Sequence, residues 1–590
     1  MRIRPPAPVL LAGALSCAAV LAGGCTDSDA KGSDGKGESD AIEVERSTAA
    51  AAPQTGTSGL PAGTPKQLWQ ADIPLRSPLV RVESVAGQIV VVSDRGLDVY
   101  DGAGGKPRWH YHEVKRVVTA YTVTPDTVVV TTAAAGVSNH PLRENAKPRS
   151  AALDAATGRT LWTSERRLAS DDGLLPVSER IRTRAVLPAA NAGTAVLARQ
   201  DGDKPGLAGM DARTGKERWT WTAPKADKNC ELEQQNTDGS LVVVRMTCAA
   251  GEVFALDPAS GAVRWTRPLG QGTQQYVVRG GVTLLTAYDV RKQNVSTLIA
   301  ADGRQLWRLA DERLAAKEVA VAGGHAVVTV ANNDGGYGLR AEFVDLRTGK
   351  VDARPAARLH TAFGTVGEHV YGVREWLGEH RRTAAGLPPG LLPAGLDVID
   401  PARGAVTTVP LPFALTKPEF EFGPASVLIK GDRLFRLQSV DAGLRITAYG
   451  PGDTKAPAGT GGVPAADWPD ACKLTAKAED VTERAYDPES TLRLGTAEIE
   501  HWGCRVGGRG TLRFRIGWVA RTPEDAHALL AGTNGTAVPD VGDETYSIDG
   551  PAGKTILVRT GRYIVAYDTR SAGPGGFPRE VMDAVHAALR

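Results

Sequence analysis

The chain has 590 residues, too many for one compact core, and its 67 glycines and 37 prolines imply many turns rather than long helices. Basic and acidic residues number 69 and 67 and are interspersed, for a net charge of +2. No large single-sign field therefore exists to draw in a polyanion, and nucleic acid is not expected as a partner.

At the start, Arg2 and Arg4 precede an apolar run from Val9 to Leu21, which leads into Leu21-Ala22-Gly23-Gly24-Cys25. The run is too short for a membrane span, which needs roughly 20 residues. Small residues directly before a cysteine are what a lipoprotein signal peptidase requires, so residues 1–25 read as a signal peptide and Cys25 as the lipidated N-terminus. Ordinary secretion with Cys25 as a spare thiol is the alternative. A site at Cys17 would leave too little apolar segment. With no other long apolar stretch, the lipid would be the only membrane anchor. Residues 26–65, rich in Gly, Ser, Asp, Lys, Ala and Thr, cannot bury enough surface to fold and read as a flexible tether of about 35 Å mean span.

A repeat defines residues 66–455. Asp154, Gly158 and Trp162 recur at the same spacing as Asp211, Gly215 and Trp219, and as Asp257, Gly261 and Trp265. Asp101, Gly105 and Trp109 form a fourth copy, and a fifth keeps Gly303 and Trp307 with Ile299 in place of the Asp. Asp345 with Gly349, and Asp400 with Gly404, lack the Trp. Self-similarity at this period marks a propeller or other array. In each copy a β-rich run ends in an Asp able to accept turn amides, a Gly takes a positive-φ position, and a second strand carries the Trp. The Trp lies too far from the turn to serve it and is expected to wedge between blades, rather than offer a ligand platform.

Eight upstream β-rich runs, from Ile89–Val92 to Leu434–Leu437, and eight third-strand runs, from near Val99 to near Ala448, predict four strands per unit. The eighth unit lacks a fourth strand, whereas Lys66-Gln67-Leu68-Trp69 is an unmatched one at the front. The fold class is thus mainly β: an eight-bladed propeller closed by its N-terminal strand, with seven blades as the competing count.

The Ala/Leu-x-Asp-x-x-Thr-Gly-x-x-x-Trp pattern resembles the repeat of the pyrroloquinoline-quinone-type propeller family, over about Gln67 to Pro451. That family holds quinone-dependent dehydrogenases and also non-enzymatic lipoproteins, including the outer-membrane-protein assembly scaffold of Gram-negative bacteria. The repeat does not choose between them.

The folded part has four cysteines, an even number suited to an oxidising compartment. Cys230 and Cys248 flank the turn Asn236–Ser240. Residues paired across that hairpin should sum to about 478, which pairs these two cysteines; metal binding is a weak rival without Cys-x-x-Cys or a nearby His. The quinone dehydrogenases commonly set a disulfide between adjacent cysteines against the cofactor. This chain has no adjacent pair, so no cofactor is expected. No nucleophile elbow, zinc helix or phosphate loop is present. His110, His112 and Glu113 form the one tempting cluster; His110 and His112 would share a strand face, but the expectation is solvated histidines at a blade edge and no metal. Asn294-Val295-Ser296 matches a glycosylation acceptor, which means little in a bacterial lipoprotein.

After a Pro/Gly linker at 456–466, residues 467–590 read as an α+β domain: helices near Ala478–Tyr486, Pro523–Leu530 and Arg579–Leu589, and strands near Thr511–Val519, Thr555–Val558 and Arg562–Tyr567. Trp468-Pro-Asp-Ala-Cys472, Trp502-Gly-Cys504 and Val538-Pro-Asp-Val-Gly542-Asp-Glu resemble small actinobacterial lipoprotein domains of unknown function, with a shortened Leu/Thr run and with Val541 as a departure. The resemblance implies a Cys472–Cys504 disulfide and no activity; Asp543 and Glu544 are expected to shape a turn.

The functional expectation is an extracytoplasmic lipoprotein, held to the membrane by its lipid and binding an unidentified envelope protein or ligand through loops on a rigid scaffold. The alternative is a quinone-dependent or otherwise divergent oxidoreductase with its site in the channel. Candidate loops are the insertions Thr163–Arg182, Ser138–Arg149 and above all Arg374–Pro393, with Arg374, Trp376, Leu377 and Arg381. Such a loop can be an interaction patch or can fold back over the barrel.

Overall fold

The structure is a computed structural model that describes residues 44–47, 66–74, 79–135, 147–169, 193–353, 362–374, 379–380, 393–414, 427–450 and 463–590, less short breaks within these spans. Eight antiparallel sheets follow one another along residues 66–450 as the blades of an eight-bladed propeller. Blade 1 takes strands 79–85, 88–93, 96–101 and 107–113, and blades 2 and 4–7 repeat that order. Blade 3 has strands 194–201, 204–211 and 217–222, and Leu168, bridged to Leu197, supplies its first position. The first strands of successive blades from 4 to 8 contact one another, so they line the centre and the Trp-bearing fourth strands form the rim.

Closure follows the expected route. Strand 66–74 pairs antiparallel with 443–450, from Lys66 opposite Gly450 to Pro74 opposite Gly443, and completes blade 8. Arg445 then clamps Asp72 with bonds of 2.6 and 2.8 Å across 373 residues of sequence. The blade cores are made of side chains alternating toward one neighbour or the other. Val90, Val92 and Leu97 pack with Val118 and Val128 of blade 2, while Ile89 and Val91 pack with Ile73 and Phe435 of blade 8. Period-2 apolar runs buried on both faces give this pattern directly.

Two features depart from the sequence reading. Within the expected tether, Val44–Ser47 forms a fifth strand on the outer edge of blade 1, from Val44 opposite Glu113 to Ser47 opposite His110. In the C-terminal domain, the helix expected near 478–486 is absent. Lys473–Thr475 is a single 3-10 turn, and Glu483–Tyr486 is a strand paired with 504–507. The β-branched pair Val481-Thr482 and the open edge beside Gly503–Gly507 favour extension over a helix that lacks a full apolar stripe.

The rest of that domain is a seven-stranded antiparallel sheet covered by helices α1 (Pro523–Ala531) and α2 (Arg579–Leu589). Its core gathers Trp502, Phe514, Trp518, Leu529, Tyr567 and Val585. Cys472 and Cys504 are joined by a disulfide. Helix α1 packs on strand 405–414, the rim strand of blade 7. A two-residue strand at Glu379-His380, inside the long connection of that blade, pairs with Leu492-Arg493. The two domains are therefore joined by backbone pairing as well as packing.

Candidate functional site: the blade locks and the loop face

The repeat residues build one device several times over. In the turn after strand 149–154, Asp154 Oδ1 accepts the Thr157 amide at 3.0 Å and the Thr157 hydroxyl at 2.8 Å, while the Gly158 amide donates to the Asp154 carbonyl. Burial pushes the Asp154 carboxyl up, but Thr157 and the Arg213 guanidinium prevail and hold it below the usual carboxylate range. Asp211 and Asp257 are lowered in the same way by Thr214 with Arg218 and by Ser260 with Arg264. A side chain at Gly158 is doubly excluded: φ is +73°, and a Cβ there would lie 2.6 Å from the Trp109 ring of the preceding blade.

That ring is the other half of the lock. Trp109 lies flat beneath the next blade's turn, and its Nε1 donates to the Ala155 carbonyl at 3.0 Å. Trp69, Trp162 and Trp219 repeat the contact, against Gly105, Gly215 and Gly261, with indole bonds to the carbonyls of Gly102, Ala212 and Pro258. Asp, Gly and Trp at fixed spacing thus mean that a blade carrying all three offers a socket to one neighbour and a plug to the other.

The fifth copy corrects the alignment made from spacing alone. Ile299 pairs with Gln305 as Leu153 pairs with Thr160, so Ala300 holds the Asp position and the turn is one residue shorter. Beside this shortened turn, the buried Trp265 Nε1 finds no hydrogen-bond partner among the described residues. Trp219→Phe should therefore cost about 1 kcal/mol more than Trp265→Phe, since only the former loses a bond. Urea unfolding of the two variants, side by side, measures the difference. Trp307 takes another partner again, donating to the buried carboxylate of Glu342 at 2.9 Å.

His110 and His112 do share a face, with ring centroids 5.3 Å apart, but His112 is buried rather than solvated and sits 3.4 Å from Asp98. The added strand 44–47 covers this edge, which reading blade 1 alone could not reveal. Glu113 is also buried and holds four groups together: it accepts from Tyr111 at 2.6 Å and from Thr132, and pairs with Arg116 at 3.0 Å and Arg149 at 3.1 Å. This staple between blades 1 and 2 is saturated. In the centre, burial pushes the Glu318 carboxyl up against the opposing pull of Arg279 and Arg81, which brings charges of blades 1, 5 and 6 together on first strands.

Among the described residues, one group has the make-up of a cation site: His325, Asp345 and Asp352, whose ligand atoms lie within 4.8 Å of one another. His325 Nδ1 meets the Gly323 carbonyl at 2.9 Å and Nε2 meets Asp352 at 3.1 Å, while Asp345 is already engaged by Thr348. Cys230 is disulfide-bonded. Its strand pairs Glu231 with Thr247 and Leu232 with Met246, so one further step reaches Cys248, which lies outside the described residues. Cys25 and the loop residues Trp376, Leu377 and Arg381 also lie outside them; Arg374 ends strand 369–374, opposite Gly395.

The connections fall into two classes. In an antiparallel blade, the turns between first and second strands and between third and fourth strands share one face of the ring, and the remaining connections share the other. The first face is short: the Asp/Gly turns, and pairs such as Ala86-Gly87, Gly280-Gly281 and Gly323-Gly324. Its exception is residues 170–193 of blade 3. At the second face, called here the loop face, end the described strands that flank residues 135–148 of blade 2, 375–392 of blade 7, and 354–361 and 415–426 between blades. Ser138–Arg149 and Arg374–Pro393 thus share a face. Thr163–Arg182 is not one loop: it includes the end of a rim strand and the Leu168 bridge before crossing to the opposite face.

In the C-terminal domain, Asp543 accepts the Gly561 amide at 2.7 Å, and Glu544 binds Arg559 at 2.8 Å and His527 at 2.7 Å. Behind them, buried His586 bridges the hydroxyls of Thr560 at 2.5 Å and Tyr567 at 3.1 Å. Burial pushes its pKa down to about 4, against the pull of Asp583. A group that titrates lower when folded stabilises fully above its unfolded value near 6.5 and loses that contribution as pH falls toward 4. The domain should lose about 3 kcal/mol across that window. His586→Phe should flatten the profile whatever it costs at neutral pH, as read by unfolding at pH 7, 5.5 and 4.

A closed ring of Asp/Gly turns and tryptophan plugs defines a repeat-propeller protein of the pyrroloquinoline-quinone-like kind. Within that class, the chain belongs to the family described as outer membrane protein assembly factor BamB, which matches residues 58–251 and 237–366, together just over half of the sequence. Among solved structures, BamB from Moraxella catarrhalis is 16% identical, covers 66% of this chain and 100% of its own, and has a TM-score of 0.36. A europium-containing methanol dehydrogenase is 14% identical over 50% of this chain and 72% of its own, with a TM-score of 0.29. Sqt1 from Saccharomyces cerevisiae is 9% identical over 66% and 100%, with a TM-score of 0.36. No curated protein matches the chain. Among the described residues, no helix is long and apolar enough to cross a membrane.

Proposed function

We propose that the chain is an extracytoplasmic lipoprotein, anchored through Cys25, whose propeller is a scaffold that holds another envelope protein on its loop face. The observation that carries the reading is the division of labour in the ring. The repeat residues are spent on blade locks, and the variable connections of blades 2 and 7 share one face. A rigid frame presenting irregular loops is how such scaffolds bind. Family membership supports a role in protein assembly, and the apolar run ending at Cys25 supports the anchor. Part of the blade 7 connection is already used within the chain, at Glu379-His380, so the C-terminal domain contributes to the same binding face.

The test is crosslinking in intact cells from a photoreactive residue placed at Ala135, on the loop face, or at Ala103, in a motif turn. Capture of one envelope protein from Ala135 and not from Ala103 is expected. Equal capture from both, or only abundant neighbours, would overturn the scaffold reading.

A further inference from the structure

The fifth strand of blade 1 has a direction, and the direction says where the tether leaves the ring. Strand 107–113 runs from the motif-turn face, at Pro107, to the loop face, at Glu113. Val44 lies opposite Glu113 and Ser47 opposite His110, so Val44 is at the loop face and the strand runs from there toward the motif-turn face. Lys66, where the ring resumes, stands opposite Gly450 at that second face.

Beside the added strand Tyr111, His112 and Glu113 are buried, as Trp221 and Ala223 are at the end of the blade 3 rim strand, whereas the corresponding ends in blades 2 and 4 are exposed or half-buried. A rim strand otherwise offers a row of unpaired amides and carbonyls. The register sets Glu45 opposite His112 and Arg46 opposite Tyr111, with Asp98 opposite His110 on the next strand in.

We propose that Val44–Ser47 is a strap which makes the loop face the membrane-proximal face of the ring. The inference rests on the lipid anchor at Cys25 read above. Without the strap about 40 residues would separate the lipid from the ring and allow roughly 35 Å of reach in any direction; with it about 18 remain, for roughly 23 Å, all issuing beside the loop face. The partner held there is thereby confined to the layer next to the bilayer.

The test uses the full lipidated chain in phosphatidylglycerol–phosphatidylethanolamine vesicles that carry an energy acceptor on the headgroups. A donor is placed at Arg95, in a blade 1 turn on the loop face, or at Ala103, in the motif turn of the same blade. The faces are about 20 Å apart, one six-residue strand, and the Arg95 donor should transfer about twofold more. Glu45→Pro with Arg46→Pro, which removes two strand amides, should bring the two donors to parity. Equal transfer in the unaltered chain, or a difference that survives the prolines, overturns the orientation. Amide exchange at 44–47 reads the strap without any membrane: slow exchange that the prolines abolish is expected, and fast exchange in the unaltered chain overturns the strap. The mass of the N-terminal peptide reports lipidation separately, so loss of the anchor is told apart from loss of the strap.

Discussion

Replacing Trp109 with alanine should lower the stability of the propeller by about 3–5 kcal/mol, the range for emptying a large buried aromatic site. The ring is 2% exposed, fills the space under Gly158 and donates to the Ala155 carbonyl, so the variant loses packing and one bond and leaves a buried acceptor unmet. The cost should be strongly coupled to the glycine. In the native ring Gly158→Ala pushes a methyl into the indole and strains a φ of +73°; in the Trp109→Ala background only the backbone strain remains. A double-mutant cycle by urea unfolding should therefore show Gly158→Ala costing less without the ring. Simple additivity would mean that plug and socket are not one lock.

The second large effect belongs to the C-terminal domain. Cys472 and Cys504 are 32 residues apart, and closing a loop of that length restricts the unfolded chain by about 3–4 kcal/mol. Both sulfurs lie in the core with Trp468, Trp502 and Trp518, so the bridge also holds the first turn of the domain against its sheet. Cys472→Ala with Cys504→Ala should lower stability by that amount, while the propeller transition stays in place. Tryptophan fluorescence during denaturation can follow both, because the two domains carry separate indole clusters. A shift of the propeller transition by the same amount would mean that they unfold as one unit through Glu379-His380 and helix α1.

The ring is legible because its repeat residues are bound by steric rules that hold in enough copies to show the period. Asp needs a five-residue turn, Gly needs room for an indole, and Trp needs a socket one blade away, and all three constraints survive in a linear sequence. The errors lie where a local rule meets a distant neighbour. Spacing from Gly303 points to Ile299, but the turn is one residue shorter and strand pairing puts Ala300 at the position. Val44–Ser47 has too few apolar residues to declare itself and exists as a strand only because blade 1 presents an open edge. His112, expected in water, is buried beside that strand. The segment at 478–486 carries a helical signal of its own, whereas its conformation is set by the edge of a sheet whose other strands come later in the chain.

The candidate site was less legible than the fold. The loop insertions were found as interruptions of the repeat, and sequence could not say on which face each would emerge; alternation of strand direction decides that once the blades are counted. The use of Glu379-His380 within the chain had no signal at all, since two residues carry no periodicity.

The closing strand also sets an order of events. Residues 66–74 are among the first of the folded part to be made, and their partners at 443–450 come some 370 residues later. A contact of that separation must wait for nearly the whole ring, so a chain threaded N-terminus first through a pore keeps its leading strand unpaired until the eighth blade has followed it. Successive blades can lock in sequence, wherever a plug meets its socket, but the circle is sealed by the oldest strand meeting the youngest. Completion is therefore signalled by a single pairing, and a chain truncated anywhere before Gly450 carries an orphan edge that marks it as unfinished.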